Sequence, residues 1–337
     1  MDVKILGRKD LEKVLELPQV IEGVETVYKL KAEGKTVVWP LVSYDFEEYN
    51  AVMDIRSGCI FGENLHGLKM LNNFPLNKAK GLPPFNGMLM IFDSTTGIPL
   101  GVMDASYITC MRTGAAGAVG AKALARRDSK TLFVLGAGKQ AIFQIAAAMI
   151  LFPGLEKVYI ATPLNLDHAA RFAMECENTL KEKFALTCQN TVFAPVTDLA
   201  QCVGESDIII TVTPAKAPVI KKEWVKPGTH LSCIGADMEG KEEIDPQLFV
   251  GARIFADDKA QCMRVGEMEL AIQGGFISAD QITGELGEVL IGRIKGRLSD
   301  EDITIFDATG LALLDLVTGK KAIDLSKEKE LGTTADI

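Results

Sequence analysis

Thr131-Leu132-Phe133-Val134-Leu135-Gly136-Ala137-Gly138-Lys139-Gln140-Ala141 is the stretch on which the fold turns. The run from Thr131 to Leu135 reads as a buried strand, and the GxGxxA sequence after it opens a helix predicted over 139–151. In such a unit Gly136 permits a tight turn, Gly138 lets a pyrophosphate approach the backbone, and Ala141 lets the helix pack closely. The helix N-terminus then offers N–H donors to the anion. A glycine-rich turn alone is a common feature; its place within alternating strands and helices gives it weight.

That alternation continues downstream. Strands are predicted over 157–161, 191–194, 207–212, 229–234 and 254–256, with a helix over 166–184. Strands alternating with helices imply a parallel sheet covered on both faces. Upstream the pattern differs. Leu11, Val14, Leu15, Ile21, Val24, Val27 and Tyr28 recur at helical spacing, so two helices, or one kinked where Pro18 interrupts it, open the chain. Short β-rich runs follow at 37–39, 49–55, 68–71, 88–92 and 98–103, read as a largely antiparallel sheet, with Asp93 to Gly97 as a hairpin turn. A helix over about 107–125 leads into the αβ-alternating region, and another over about 311–318 precedes a charged tail starting near Lys327.

The fold class is therefore α/β, and 337 residues exceed what one core usually organises, so two domains are expected. Hydrophobic residues make up 47% and charged residues 24%, with no apolar run near the ~18 residues of a membrane span. The net charge of −9 is carried by acids interspersed with scattered bases, which argues against nucleic acid as a partner. Seven cysteines, odd in number and without a CxxC pair, point to buried thiols in a reducing compartment. The opening Met1-Asp2-Val3-Lys4-Ile5-Leu6 lacks the features of an export signal, and a cytoplasmic location is expected. His66, His168 and His230 are the histidines, none at zinc-site spacing, so no metal is expected.

The second strand of a dinucleotide fold usually ends in Asp or Glu where NAD is preferred, because the carboxylate accepts from the ribose hydroxyls. Here the sequence is Ala161-Thr162-Pro163-Leu164-Asn165. No acid stands there, Thr162 is in reach, and Asp167 belongs with the next helix N-terminus. No Arg follows to clamp a phosphate. The cofactor is NADP or NAD, with a tilt towards NADP.

Several linked motifs resemble one family. Leu68-Lys69-Met70-Leu71-Asn72-Asn73-Phe74-Pro75, Gly81-Leu82-Pro83-Pro84, Asp93 to Gly97 and Ile108-Thr109-Cys110-Met111-Arg112-Thr113 are similar to the substrate domain of ornithine cyclodeaminase and μ-crystallin relatives. The glycine turn, Gly228 to Asp237, Glu285-Leu286-Gly287-Glu288 and Phe306-Asp307-Ala308-Thr309-Gly310 follow in the same order. The similarity runs from about Thr36 to Asp315. It implies a Rossmann NAD(P)-binding domain over 125–304. It also implies an α/β substrate-binding and dimerisation domain over 1–124, completed by 305–337, and a homodimer. Family membership fixes fold better than substrate.

Amino acid oxidation needs a cationic clamp for the α-carboxylate, a proton-handling group at the α-nitrogen and a hydride acceptor at Cα. Lys69, Arg56 and Arg112 can supply cations, and residues matching Lys69 and Arg112 touch substrate in the family. Archaeal alanine dehydrogenases carry an Arg at the place of Arg56. A guanidinium orients a planar carboxylate best, so Arg112 is the expected clamp. Lys69, beside arginines and shielded from water, should have a lowered pKa and act as acid and base; otherwise it is a solvent-facing strand lysine. Arg56 competes with an ordinary surface pair to Asp54.

Asp237 follows a Gly-Ala turn at a strand end, where open α/β sheets gather ligand-binding groups. The matching Asp in cyclodeaminases is proposed to take a proton from the side-chain amine; the alternative is a local cap. Asn86 stands where relatives carry Gln or His near substrate, although Asn-Gly is also a strong turn pair. The candidate cofactor contacts are Gly136, Ala137, Gly138, Lys139, Gln140 and Ala141 in the turn, Thr162 at the next strand end, Thr211, Val212 and Thr213 at the end of the strand that would carry backbone contacts to the nicotinamide half, and Ile234 and Gly235 further on. Arg112 and Thr113 complete the set. Ser232-Cys233 replaces the family's usual Asn-Ala, and Leu41 replaces an Arg that cyclodeaminases often carry after Pro40.

These residues point first to NAD(P)-dependent amine–imine redox chemistry on a small amino acid or imine. That covers reduction of a ketimine or cyclic imine and dehydrogenation of an amino acid. The alternatives are an ornithine cyclodeaminase that recycles its cofactor to form proline and ammonia, and a non-catalytic carrier of the μ-crystallin type. Lys69, Arg112 and Asp237 together speak against a carrier.

Overall fold

In a computed structural model of the chain, residues 1–162, 165–188 and 190–337 are described. Contacts divide the chain into one unit of Met1–Arg112 with Leu311–Ile337 and another of Thr113–Gly310. The division falls inside a helix, Ala105–Leu124, which the boundaries expected at 124/125 and 304/305 leave whole.

The first unit opens with β1 (Asp2–Leu6), α1 (Arg8–Val14) and α2 (Leu17–Ala32). Pro18 does not kink a helix; it sits in the first turn of α2, where its missing N–H has no helical partner to lose. Five strands then build most of a sheet: β2 (Thr36–Val38), β3 (Val42–Phe46), β4 (Ala51–Ile60), β5 (Leu65–Asn73) and β6 (Phe85–Asp93), with β7 (Pro99–Asp104) beside them. Pairing from β2 through β7 is antiparallel as expected. The β6–β7 turn forms as its sequence demands. Asp93 Oδ1 accepts from the Thr95 and Thr96 N–H groups at 2.7 and 3.0 Å, and Gly97 takes φ +73°.

Two features depart from the sequence reading. β1 joins the sheet parallel to β7, and the supposed charged tail becomes a strand, Thr333–Asp336, antiparallel to β1. The C-terminal helix also runs on to Glu328, over Ala312–Glu328, because its buried residues include Ala322, Ile323 and Leu325 beyond the expected end. That helix lies on one face of the sheet, with α1 and α2 against it.

The second unit begins within α3 (Ala105–Leu124) and alternates β8 (Thr131–Leu135), α4 (Ala141–Leu151), β9 (Lys157–Ala161), α5 (Leu166–Phe184), β10 (Val192–Pro195), α6 (Leu199–Glu205) and β11 (Ile208–Thr211). A two-stranded ribbon of β12 (Lys216–Ile220) and β14 (Glu242–Ile244) brackets β13 (His230–Cys233). There follow β15 (Arg253–Ala256), α7 (Lys259–Val265), α8 (Met268–Gln273), β16 (Gly284–Glu285), α9 (Leu286–Leu290) and β17 (Thr304–Asp307). The main sheet has the order β10-β9-β8-β11-β13-β17-β15-β16 and every pair is parallel. This is a Rossmann-type sheet. Its central strands are buried on both faces, which is why β11 can read Ile-Ile-Ile. Among the described residues no helix is long and apolar enough to cross a membrane.

Candidate active site

Strand alternation decides which side chains meet in the first unit. Arg56 on β4 and Lys69 on β5 are direct cross-strand partners, so they share the sheet face covered by the C-terminal helix. That helix comes very close. A Cβ on Gly67 would lie 2.7 Å from Leu316 and 2.3 Å from the Met90 carbonyl oxygen. The approach brings Asp315, an acid within the apolar run Leu311 to Val317, down onto Lys69. Lys69 Nζ donates to Asp315 Oδ2 at 2.7 Å and to Thr109 Oγ1 at 3.3 Å. Arg112 Nε, from α3, donates to the other oxygen, Oδ1, at 3.1 Å. One carboxylate thus bridges the two expected cations.

Lys69 and Asp315 are wholly buried, and Arg112 is 6% exposed. The solvent-facing alternative for Lys69 is thereby excluded. Burial lowers the Lys69 pKa to about 7, assisted by the Arg112 and Arg56 charges and opposed by Asp315. Asp315 stays below the usual carboxylate range although burial pushes it up, because Arg112 and Lys69 hold it ionised. Arg56 and Asp54 are 3.9 Å apart with side chains 14% and 20% exposed, a looser and wetter pair. If these groups are counted together, losing the Lys69 proton leaves Asp315 balanced by Arg112 and Asp54 by Arg56. Lys69 is the group from which a proton can leave without an unpaired buried charge.

Asn86 lies elsewhere. β6 runs straight through Asn86-Gly87 with no turn, and Asn86 pairs with Asn72. Alternation sends it to the face opposite Lys69, where it is exposed.

In the second unit, the strand order reverses between β8 and β11, the position where open α/β sheets bind ligands. Gly136 caps β8 there with φ +117°, and a Cβ would meet the Val212 carbonyl oxygen at 2.9 Å. Its N–H donates to the Ala161 carbonyl at the end of β9, 2.7 Å away. Gly138 is different: a Cβ there would meet nothing within 4 Å, so the backbone faces open space at the start of α4. Ala141 is fully buried, as close helix packing requires. Lys139 is exposed and Gln140 partly so. The turn therefore fits a dinucleotide pyrophosphate in the roles the sequence assigns to its residues.

The remaining candidates fall around it. Thr162 follows β9; Pro163 and Leu164, on which the NADP reading partly rests, lie outside the described residues. Asn165 caps α5, accepting from the His168 N–H at 2.9 Å, and Asp167 belongs to that first turn. His168, which carries no motif signal, hydrogen-bonds through Nε2 to the Ala137 carbonyl at 2.9 Å and ties the glycine turn to α5. Thr211 ends β11 and Val212 and Thr213 follow it, and the Ile234 N–H donates to the Thr211 carbonyl at 3.0 Å, with Gly235 next to it. The Thr113 carbonyl accepts from Gln144 Nε2 at 2.9 Å. Asp237 pairs with Lys241 at 2.5 Å and keeps 40% of its side chain exposed, an ion pair with a neighbouring side chain and not the local cap that stood as the alternative.

A family model described as the ornithine cyclodeaminase/mu-crystallin family matches residues 1–330. The chain is 35% identical to an alanine dehydrogenase of Archaeoglobus fulgidus over 334 residues, 99% of this chain and 98% of that one. Its structure is similar to an archaeal alanine dehydrogenase dimer with bound NAD, with a TM-score of 0.91 at 34% identity, covering 100% of both chains. It is similar, too, to a Δ1-pyrroline-2-carboxylate reductase of Thermococcus litoralis in complex with NADH and L-proline, with a TM-score of 0.88 at 31% identity over 99% of this chain and 100% of that one.

Proposed function

This chain belongs to the ornithine cyclodeaminase/mu-crystallin family, and we propose that Lys69 and Arg112 are the centre of its chemistry. It is an NAD(P)-dependent oxidoreductase that acts at the α-carbon of an amino acid or its imine. The observation that carries the assignment of residues is the buried Lys69–Asp315–Arg112 cluster, with Arg56 in cross-strand register. The substrate class is a small amino acid or ketimine, cyclic imines included.

Asp315 engages Arg112 through Nε, which leaves the guanidinium's terminal nitrogens to take a carboxylate in bidentate fashion. Arg56 adds a second positive charge to draw the anion in. Lys69 then handles the proton at nitrogen: neutral, it accepts one as the amine is oxidised; charged, it donates one as the imine is reduced. A dinucleotide held by its pyrophosphate at the Gly136 turn would supply or accept the hydride through its nicotinamide. The substrate carboxylate brings a negative charge beside Lys69 and so raises its pKa, favouring the protonated form needed for imine reduction.

Cyclodeamination shares the first oxidation step and would call on Asp237 for the side-chain amine. Lys241 already engages that carboxylate, and Leu41 stands in place of the cyclodeaminase arginine, so this second reading ranks behind net redox chemistry. Six of the seven cysteines are buried, which supports the reading of core thiols in a reducing, cytoplasmic setting. The sheet face of the first unit opposite the helix supports a homodimer. There Tyr44, Val42 and Met88 are 59%, 53% and 56% exposed, a patch of the kind that marks an interface.

The assignment is tested by substitution. Lys69→Ala should lower turnover by roughly 10²–10⁴ while NADH affinity changes little. Arg112→Met should raise KM most for substrates that carry a carboxylate. A Lys69→Ala enzyme with undiminished turnover would remove Lys69 from the mechanism.

A further inference from the structure

We propose that Glu243 is a positioning residue for the nicotinamide half of the cofactor, its buried carboxylate fixing the backbone at the ends of β11 and β13. The inference rests on the reading of Thr213 and Gly235 as cofactor contacts.

Glu243 comes from the β12–β14 ribbon and is wholly buried. Its Oε1 accepts from the Thr213 N–H at 2.6 Å and its Oε2 from the Gly235 N–H at 3.0 Å. One carboxylate therefore clamps two strand ends on the edge of the sheet where Gly136 lies. Gly235 is glycine for this reason: a Cβ there would sit 2.4 Å from Glu243 Oε2 and 2.4 Å from the Thr213 carbonyl oxygen. The clamp is itself held. Glu267, leading into α8, accepts from the Glu243 and Ile244 N–H groups at 2.7 Å each. Asp307, at the end of β17, accepts from the Met268 N–H at 2.9 Å. A row of carboxyl groups from three elements thus organises backbone along one edge of the sheet.

The clamp depends on charge, because only a carboxylate presents two acceptor oxygens; the acid form must turn one of them into a donor. The groups around it are mostly acidic. Glu267 faces it from α8 and Asp307 from β17, with Cys233 on β13, Glu242 on its own strand and the Asp237–Lys241 pair in the loop before it. Lys241 Nζ reaches the Gly235 carbonyl at 3.3 Å. Burial pushes Glu243 up to about 7 against its hydrogen bonds, and pushes Glu267 and Asp307 well above the carboxylate range, with their acidic neighbours adding to it. Glu243 is thus the member of the row that changes charge near neutrality. It grips both strand ends above that pH and releases one below it.

The test compares NADH with ADP-ribose, which lacks the nicotinamide ring, using direct binding titrations of the intact protein between about pH 6 and 8.5. Glu243→Gln should weaken NADH about tenfold at the alkaline end, as expected for losing a charge-assisted hydrogen bond, and leave ADP-ribose almost unchanged. Wild-type NADH affinity should fall as pH drops through neutrality, and the variant should lose that slope. An E243Q protein that binds NADH with wild-type affinity and slope would overturn the proposal. Should the variant fail to fold, the wild-type ratio of NADH to ADP-ribose affinity decides: a fall on acidification supports the clamp, and a constant ratio overturns it. If the wild type binds neither ligand, the dinucleotide site itself is misassigned and the proposal falls with it.

Discussion

Among single residues, the chemistry turns on where one proton resides. The Lys69 pKa of about 7 lies far below that of a free lysine, so the side chain is charged below neutrality and neutral above it. Oxidation of an amine uses the neutral form; its kcat/KM should rise with pH through about 7 and then level. Imine reduction uses the ammonium, and its kcat/KM should fall as pH rises through the same range. Initial rates measured in both directions across pH check this, and parallel profiles would refute the assignment. Asp315→Asn removes the anion that opposes the lowering of that pKa, so the oxidation limb should move to lower pH. The variant should also lose about 3–5 kcal/mol of stability, read by denaturant unfolding, because two buried cations lose their partner. Lys69 and Arg112 were legible in the sequence through the motifs around them. Asp315 was not, since its partner Lys69 is 246 positions away and an acid in an apolar helix carries no local sign of what it meets.

At the scale of elements, close approach is what assembles each site. The C-terminal helix reaches Lys69 beside Gly67 on β5, where a Cβ would lie 2.7 Å from the Leu316 side chain of the helix and 2.3 Å from the Met90 carbonyl oxygen of β6. Gly67→Ala must therefore shift strand or helix, and should destabilise the protein by about 1–3 kcal/mol in denaturant unfolding. Gly136→Ala meets both a positive φ and the Val212 carbonyl; NADH titration should find binding lost or sharply weakened while the fold is kept by circular dichroism. Strands β8, β9, β11, β13 and β15, with helices α4 and α5, were legible because burial on both faces writes continuous apolar runs; β17, central in the same sheet, the β12–β14 ribbon and the short helices α6 to α9 were not predicted. The strands β1 and Thr333–Asp336 were not. They pair with each other across the two ends of the chain, with only Val3 and Leu6 buried between them and charged residues in both, so their only strong cue is a partner that sequence order hides. The run through Asn86-Gly87 shows tertiary pairing with β5 overriding a local turn preference.

At the scale of the whole molecule, the family sets the fold, and a few charged groups set the chemistry laid upon it. The exposed apolar sheet face of the first unit predicts self-association. A Met88→Glu variant should sediment as a monomer where the parent sediments as a dimer, with its secondary structure intact. Net transfer of a hydride at a carbon–nitrogen bond shows itself in the redox balance. The protein is mixed with reduced cofactor and pyrroline-2-carboxylate, piperideine-2-carboxylate, or pyruvate with ammonia, and near-ultraviolet absorbance and free ammonia are followed together. Absorbance should fall in step with the imine reduced. Silence with every imine, alongside ornithine converted to proline and ammonia at constant absorbance, would instead make the protein a cyclodeaminase and overturn net redox transfer.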